Sequence, residues 1–132
     1  MNLNKRSDAV FRQLITLMGK KDHHKINNSE GSFMPVIIEK LYTVPKFING
    51  KTATVYSLSH YYEQNGDLVP DPDMTFAVDD VMVVPLTYQD SYRYDESLFK
   101  DGNEWKFKPA LQKLLVSFAN MWMINIKEQQ EI

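Results

Sequence analysis

The sequence predicts an α+β fold in which an N-terminal and a C-terminal helix flank a four-stranded, antiparallel, meander-like sheet. Apolar residues recur at helical spacing near both ends of the chain, and the segments between them alternate with a period of two. Turn-forming residues, including Asn-Gly and Gly-Asn pairs, separate those segments. The 132 residues, 43% of them hydrophobic, suit one domain spanning 1–132.

The first helix is predicted over residues 7–19. Ser7 or Asp8 can cap its start, and Gly19 can end it. Its apolar residues recur at helical spacing: Val10, Phe11, Leu14, Ile15 and Met18. The polar, turn-rich residues 20–32 that follow predict a loop.

Two strands are predicted next, over residues 34–42 and 52–63, with Pro35 confined to the start of the first. Asn49-Gly50 is a strong turn signal between them, because both residues tolerate positive φ. Alternation in the second strand places the even-numbered residues from Thr54 to Tyr62 on one face and the intervening residues on the other.

A wide turn is predicted over residues 65–73, which contain Asn-Gly-Asp and Pro-Asp-Pro-Asp. The return strand follows, and its apolar face consists of Met74, Phe76 and Val78. Residues 81–88 form the fourth predicted strand, in which Pro85 indicates a sheet edge or a bulge.

The closing helix is predicted to begin at Pro109, after the mixed aromatic segment 89–108 with its Gly102-Asn103 turn. Its apolar stripe comprises Leu111, Leu114, Leu115, Phe118 and Trp122. Both helices are expected to pack on one face of the sheet. The other face can then stay wet and serve as a binding surface.

The composition excludes several classes of chemistry. The chain has no cysteine, which rules out disulfides, thiolate zinc sites, iron–sulfur clusters and cysteine nucleophiles. It has no phosphate-binding glycine loop, no GxSxG elbow and no HExxH motif. It also has no long apolar run and no signal-peptide pattern. We therefore expect a cytoplasmic protein without a cofactor, a bound metal or a membrane segment.

Charge is distributed unevenly along the chain. Residues 1–51 carry nine Lys/Arg and four Asp/Glu, whereas residues 52–92 carry seven acids and no Lys or Arg. An acidic field of this kind attracts a basic protein surface and repels phosphate. The predicted binding residues are the acids and tyrosines of this stretch: Tyr61, Tyr62, Glu63, Asp67, Asp71, Asp73, Asp79 and Asp80. The acidic segment 63–80 is the predicted contact with a protein partner.

Groups of potential metal ligands have simpler interpretations. His60, Glu63 and Asp67 could bind a divalent ion, but His60 and Glu63 point to opposite faces of a strand. Asp67, Asp71 and Asp73 could bind calcium, but their spacing differs from the helix–loop–helix signature. The adjacent His23-His24 pair lacks a third ligand, so all three groups are interpreted as structural.

A resemblance rests on residues 57–76, Ser-Leu-Ser-His-Tyr-Tyr-Glu-Gln-Asn-Gly-Asp-Leu-Val-Pro-Asp-Pro-Asp-Met-Thr-Phe. This string resembles the signature of an uncharacterised bacterial and phage domain family. Residues 33–41 resemble that family's earlier strand, and residues 111–122 resemble its closing helix. The resemblance implies a setting on conjugative elements, plasmids or phages, and it transfers no catalytic residue.

These observations indicate a non-enzymatic accessory protein of a mobile element or phage that acts by binding a macromolecule. The most specific form of this hypothesis is an inhibitor of a host defence nuclease, similar to anti-CRISPR or anti-restriction proteins. An acidic surface can occupy the basic nucleic-acid groove of such an enzyme. One alternative is a nucleic-acid-binding helper for element replication that uses the basic first third and the tyrosines. Another is a metal-dependent hydrolase centred on His60, Glu63 and Asp67.

Overall fold

The fold, taken from a computed structural model that describes residues 1–132, contains two helices and eight strands. In chain order the elements are α1 (Lys5–Met18), β1 (His23–Ile26), β2 (Val36–Val44), β3 (Ala53–Gln64), β4 (Asp67–Val78), β5 (Val83–Gln89), β6 (Tyr94–Glu96), β7 (Leu98–Asp101), β8 (Glu104–Phe107) and α2 (Pro109–Gln129).

Strands β1 to β6 form one antiparallel sheet in sequential order, and β7 pairs with β8 in a separate hairpin. The predicted α+β class and meander order are confirmed, but the predicted number of four strands is wrong. The additional sheet strands are β1, within the predicted loop 20–32, and β6, within segment 89–108. Each has only three or four residues, too few to show a period of two.

Helix α1 begins earlier than the sequence predicts. The Asn4 side chain caps it by accepting a hydrogen bond from the Ser7 amide at 2.8 Å. Ser7 is instead buried inside the helix, and its hydroxyl donates to the Asn120 carbonyl of α2 at 3.0 Å. The predicted cap at Ser7 or Asp8 is therefore wrong. Gly19 does end the helix, with a φ of 64°.

Both helices pack on the same face of the sheet, as predicted. The core there includes Phe11, Leu14, Met123 and Ile126 from the helices, together with strand residues such as Leu58, Met74 and Phe76. The rings of Phe11 and Phe76 lie with their centroids 4.7 Å apart. This core contains 19 buried residues, so it dominates the hydrophobic stabilisation of the fold.

A second, smaller cluster covers one end of the opposite face. It contains Phe47, Ala53, Val55, Ala77, Val84, Leu86 and Leu98. Trp105 of β8 packs edge-on against Phe47 at 4.9 Å and donates a hydrogen bond to the Lys46 carbonyl. The β7–β8 hairpin therefore covers that end of the sheet.

Buried polar side chains attach the hairpin to α2. The Ser97 hydroxyl contacts the Leu86 carbonyl at 3.1 Å and the Gln112 amide oxygen at 2.5 Å. Gln112 donates in turn to the Met1 carbonyl at 3.2 Å. Buried polar groups are costly unless they are paired, so these contacts fix the N-terminus, the hairpin and α2 relative to one another.

Strand β4 is longer than predicted, and this changes the shape of the molecule. Only Asn65 and Gly66 form the turn between β3 and β4, with φ values of 53° and 86° that suit a tight hairpin. Residues 67–73, predicted as part of a wide turn, belong to β4 instead. Neither helix is long and apolar enough to cross a membrane.

Candidate functional site

The β3–β4 hairpin projects beyond the rest of the sheet. Strand β2 pairs with β3 only as far as His60, and β5 pairs with β4 only from Asp73. The intervening segment pairs only with itself, from Tyr61 opposite Pro70 to Gln64 opposite Asp67. We call residues 61–72 the acidic arm. Two strands alone are marginally stable, so the arm depends on its attachment to the sheet.

The acidic arm carries negative charge without a counter-ion. Glu63, Asp67 and Asp71 are all exposed, and none of them forms a salt bridge. No Lys or Arg occurs from residue 52 to residue 92, so no cation lies on the arm itself. Because the arm projects and all its charges are negative, a molecule that approaches from several directions meets a negative electrostatic potential.

Apolar side chains lie among these charges. Leu68, opposite Glu63, is 71% exposed, and the partly exposed Tyr62 and Val69 lie opposite each other. Exposed large apolar residues beside charged ones are typical of a protein-binding surface, where the apolar part is buried and the charges orient the partner. The arm thus combines both kinds of contact.

Tyr61 and Asp73 anchor the arm on the open face of the sheet, which is the face away from the two helices. The Tyr61 hydroxyl donates to the Asp73 carboxylate at 3.2 Å. Burial raises the pKa of Asp73, and the nearby Glu39 charge adds to this effect, while the Tyr61 hydrogen bond opposes it. Burial and the Asp73 charge also raise the pKa of Tyr61. Asp73 is therefore a carboxylate held in a partly desolvated position without a cation.

His60 anchors the arm on the helix side. Its Nδ1 lies 3.0 Å from the Pro35 carbonyl, and its ring packs 5.5 Å from the Trp122 ring. Burial lowers the pKa of His60, although the hydrogen bond to Pro35 and the charge of Asp71 oppose that shift. This residue is part of the packing between the sheet and α2.

Asp79 and Asp80 lie at the other end of β4, away from the arm. Asp79 lies twelve positions after Asp67, which is roughly 40 Å along an extended strand. The buried Asp79 carboxylate accepts hydrogen bonds from the amides of Val81 and Met82, each at 2.8 Å. Burial alone would raise the pKa of Asp79, but those amides and Asn49 lower it below its usual value.

The predicted binding residues consequently fall into two groups. Asp80 pairs with Lys51 at 3.3 Å, so both acids of the β4–β5 connection already have partners. The remaining six form the arm and its base: Tyr61, Tyr62, Glu63, Asp67, Asp71 and Asp73. The segment 63–80 is not one continuous surface, because β4 carries its two ends apart.

The structure does not assemble the candidate metal ligands. His60 is buried beside Trp122, whereas Glu63 and Asp67 are exposed near the tip of the arm. No three His, Asp or Glu side chains in the 132 residues are grouped as a metal site would require. The convergence that a metal-dependent hydrolase centred on His60 would need is therefore not present.

The tyrosines that the nucleic-acid-binding alternative would use for base stacking, Tyr88 among them, are also dispersed. Tyr88 packs against Phe118 of α2 with ring centroids 5.6 Å apart, and its hydroxyl donates to Asp90 at 2.9 Å. Burial, followed by Asp90, raises the pKa of Tyr88 to about 12. This ring belongs to the helix-side packing, while Tyr61 and Tyr62 lie on the acidic arm.

Sequence reasoning did not find a groove that lies on the open face of the sheet. The volume of the groove is about 610 Å³. Its lining includes residues of β2 and of β6, although these two strands are not neighbours in the sheet. Register shifts lie between Lys40 and Tyr42 and between Thr75 and Phe76. Such bulges bend and twist a sheet, which explains how distant strands enclose one groove. Bulge positions have no reliable sequence signal, although Pro85 did indicate the second one.

A comparison with protein families identifies the family of the chain. The family model described as Domain of unknown function (DUF6908) matches residues 9–132. The chain belongs to this family. The matched residues include those of the acidic arm and of the open-face groove. No curated protein and no solved structure matches the chain.

Proposed function

We propose that this DUF6908 domain is a non-enzymatic binding protein whose acidic arm docks onto a basic surface of a partner protein. The observation that carries the proposal is the arm itself, a two-stranded projection with three unpaired carboxylates, exposed Leu68 and no cation. A nucleic acid is disfavoured as the ligand of this surface, because phosphate and the arm carry the same sign of charge.

The partner that best fits this chemistry is a nucleic-acid enzyme. Such an enzyme lines its substrate groove with Lys and Arg, and a narrow acidic ribbon can enter that groove where phosphate would otherwise bind. We extend the proposal to an accessory protein of a mobile element or phage that inhibits a host defence nuclease in the manner of anti-CRISPR or anti-restriction proteins. The family resemblance of residues 57–76 to bacterial and phage proteins supports this setting.

The test compares the wild-type protein with a charge-reversed arm, Glu63→Lys/Asp67→Lys. Each tagged protein is used to capture partners from a nuclease-treated bacterial lysate, and the recovered enzyme is then purified for binding and nuclease assays. Because attractive contacts between the two carboxylates and a basic partner become repulsive, we expect affinity to fall at least about 10-fold. Inhibition of the nuclease should be lost in parallel.

The matched control is Asp101→Lys/Glu104→Lys on the β7–β8 hairpin. Asp101 and Glu104 are also exposed acids that flank a tight turn, but they lie outside the acidic arm. This variant changes the net charge by the same amount and should retain binding and inhibition. If the arm variant retains affinity while both variants keep the wild-type melting temperature, the proposal is wrong.

A further inference from the structure

The open-face groove is built differently from the acidic arm. Tyr42 of β2 and Tyr94 of β6 form part of its opposite sides, and they are 57% and 58% exposed. Tyr42 is close enough to contribute, after burial and Glu96, to raising the pKa of Tyr94. Both rings therefore belong to the lining of one groove. Its volume of about 610 Å³ falls within the range of small-ligand sites, roughly 300–1,000 Å³.

The lining of the groove includes polar side chains, one of them a carboxylate. Asp73 lines it beside Thr75 and Thr87, whose hydroxyls are 2.5 Å apart. Asp73 accepts one hydrogen bond, from Tyr61 through Oδ2, and forms no salt bridge. Its position costs folding free energy, because a partly desolvated carboxylate has no cation to compensate it.

Glu96 adds a second carboxylate to the lining, and Lys100 on the hairpin is the one basic residue there. Lys100 forms no salt bridge with either acid, so the negative charge of the groove is not neutralised internally. Two carboxylates and one ammonium leave the lining with a net negative charge, which favours a cationic ligand with hydrogen-bond donors, and the two tyrosine rings favour a flat one.

We propose that the open-face groove binds a guanidinium group, with Asp73 as its ion-pair partner and Tyr42 and Tyr94 against its faces. A guanidinium is planar, always charged, and has donors in a fork that matches a carboxylate. It also stacks on aromatic rings, which a strongly hydrated ammonium does less readily. The source can be an arginine side chain of a protein or a free guanidinium compound.

The experiment titrates the 132-residue protein with N-acetyl-arginine amide and, separately, with N-acetyl-citrulline amide, and follows binding by NMR chemical shifts. Citrulline has nearly the same shape but no charge. We expect saturable binding of the arginine compound at least about 10-fold tighter than binding of the citrulline compound, with shifts centred on the groove. Equal or undetectable binding of the two compounds would overturn the proposal.

The variant Asp73→Asn removes the charge but keeps an acceptor for Tyr61. It should weaken arginine binding about 10-fold or more while holding or raising the melting temperature at pH 7, because the desolvated charge is gone. The exposed Asp80→Asn, which has the same charge change at the other end of β4, should leave arginine binding unchanged. Unchanged binding by Asp73→Asn would also overturn the proposal.

Two further measurements distinguish the two possible sources of the guanidinium group and distinguish this proposal from the proposed function. A five-residue peptide with a central arginine that binds at least 10-fold tighter than the amide identifies a protein segment as the source. Equal binding identifies a free compound. The arm variant Glu63→Lys/Asp67→Lys should retain arginine binding even if it loses its protein partner, so failure of one proposal is distinguishable from failure of the other.

Discussion

At the scale of single residues, His60 differs from the other two histidines in being buried. Its ring lies between the Pro35 carbonyl and Trp122, and burial lowers its pKa from the usual 6.5. The unfolded chain therefore binds a proton more readily than the folded protein does in the pH range just below 6.5. Folding stability should be highest above that pH and should fall as the solution is acidified.

We predict that His60→Gln flattens this pH dependence. The wild-type free energy of unfolding should decrease between pH 7.5 and pH 5.5 more steeply than that of the variant, by at most about 1.4 kcal/mol per pH unit. Urea denaturation at the two pH values measures this. His23→Gln, at an exposed position, should keep the wild-type slope. A wild-type slope in His60→Gln would show that another group causes the effect.

Residue-level prediction is limited where folding supplies the partner of a side chain. Tyr61, Tyr62 and Glu63 were predicted as binding residues, and the structure places them on the acidic arm, where their binding role stays a prediction. Asp79 was grouped with them because of its charge. Its actual role depends on Asn49, Val81 and Met82, which a segment 30 residues away and a local turn bring to it.

At the scale of elements, α2 shows how helix burial sets stability. One face of this helix lies in the core, where Ile126 is fully buried, while Leu114 on the other face is 66% exposed. The helix has apolar residues on both faces, so hydrophobicity alone does not identify the side that packs. The helical spacing of the apolar residues, together with the strands against which α2 packs, determines which face is buried.

We predict that Ile126→Ala lowers the free energy of unfolding by about 2–5 kcal/mol, because it leaves a cavity in the core. Leu114→Ala should change stability by no more than about 0.5 kcal/mol, because that side chain is mainly in water. Both values can be measured by urea denaturation at pH 7.5. Similar losses in the two variants would mean that α2 uses a different face.

Both helices, strand β3 and the second half of β4 could be predicted from the sequence, because their apolar residues follow the helical or the strand period. The first half of β4 could not. Its prolines at positions 70 and 72 indicate a turn, but there β4 has a strand on one side only. A missing proline amide is tolerated at an unpaired edge, so the arm can contain residues that a central strand would exclude.

At the scale of the whole molecule, stability is unevenly distributed. The helix-side core covers the middle of β3 and β4, whereas the arm pairs only with itself and β7 pairs only with β8. Regions with few buried contacts open locally at a smaller free-energy cost than global unfolding requires. The proposed binding surface therefore belongs to the most easily opened part of the protein.

We predict that hydrogen exchange follows this distribution. Amides of residues 55–59 and 74–78 should exchange slowest, and amides of residues 61–69 should exchange at least about 10-fold faster at pH 7 and 25 °C. Exchange followed by mass spectrometry of peptic fragments measures the difference. Equal protection of the two regions would show that the arm is stabilised by contacts beyond its own pairing.

The alternation of side chains along the central strands has an evolutionary consequence. On β3, Tyr56 and Leu58 face the helices, whereas Ser57 and Ser59 face the open side. The second, smaller cluster covers Val55 on the open side, but mutations at partly exposed positions such as Ser57 can alter the surface while Tyr56 and Leu58 preserve the helix-side core. A lineage of such proteins can change its binding partner repeatedly without having to evolve a new fold.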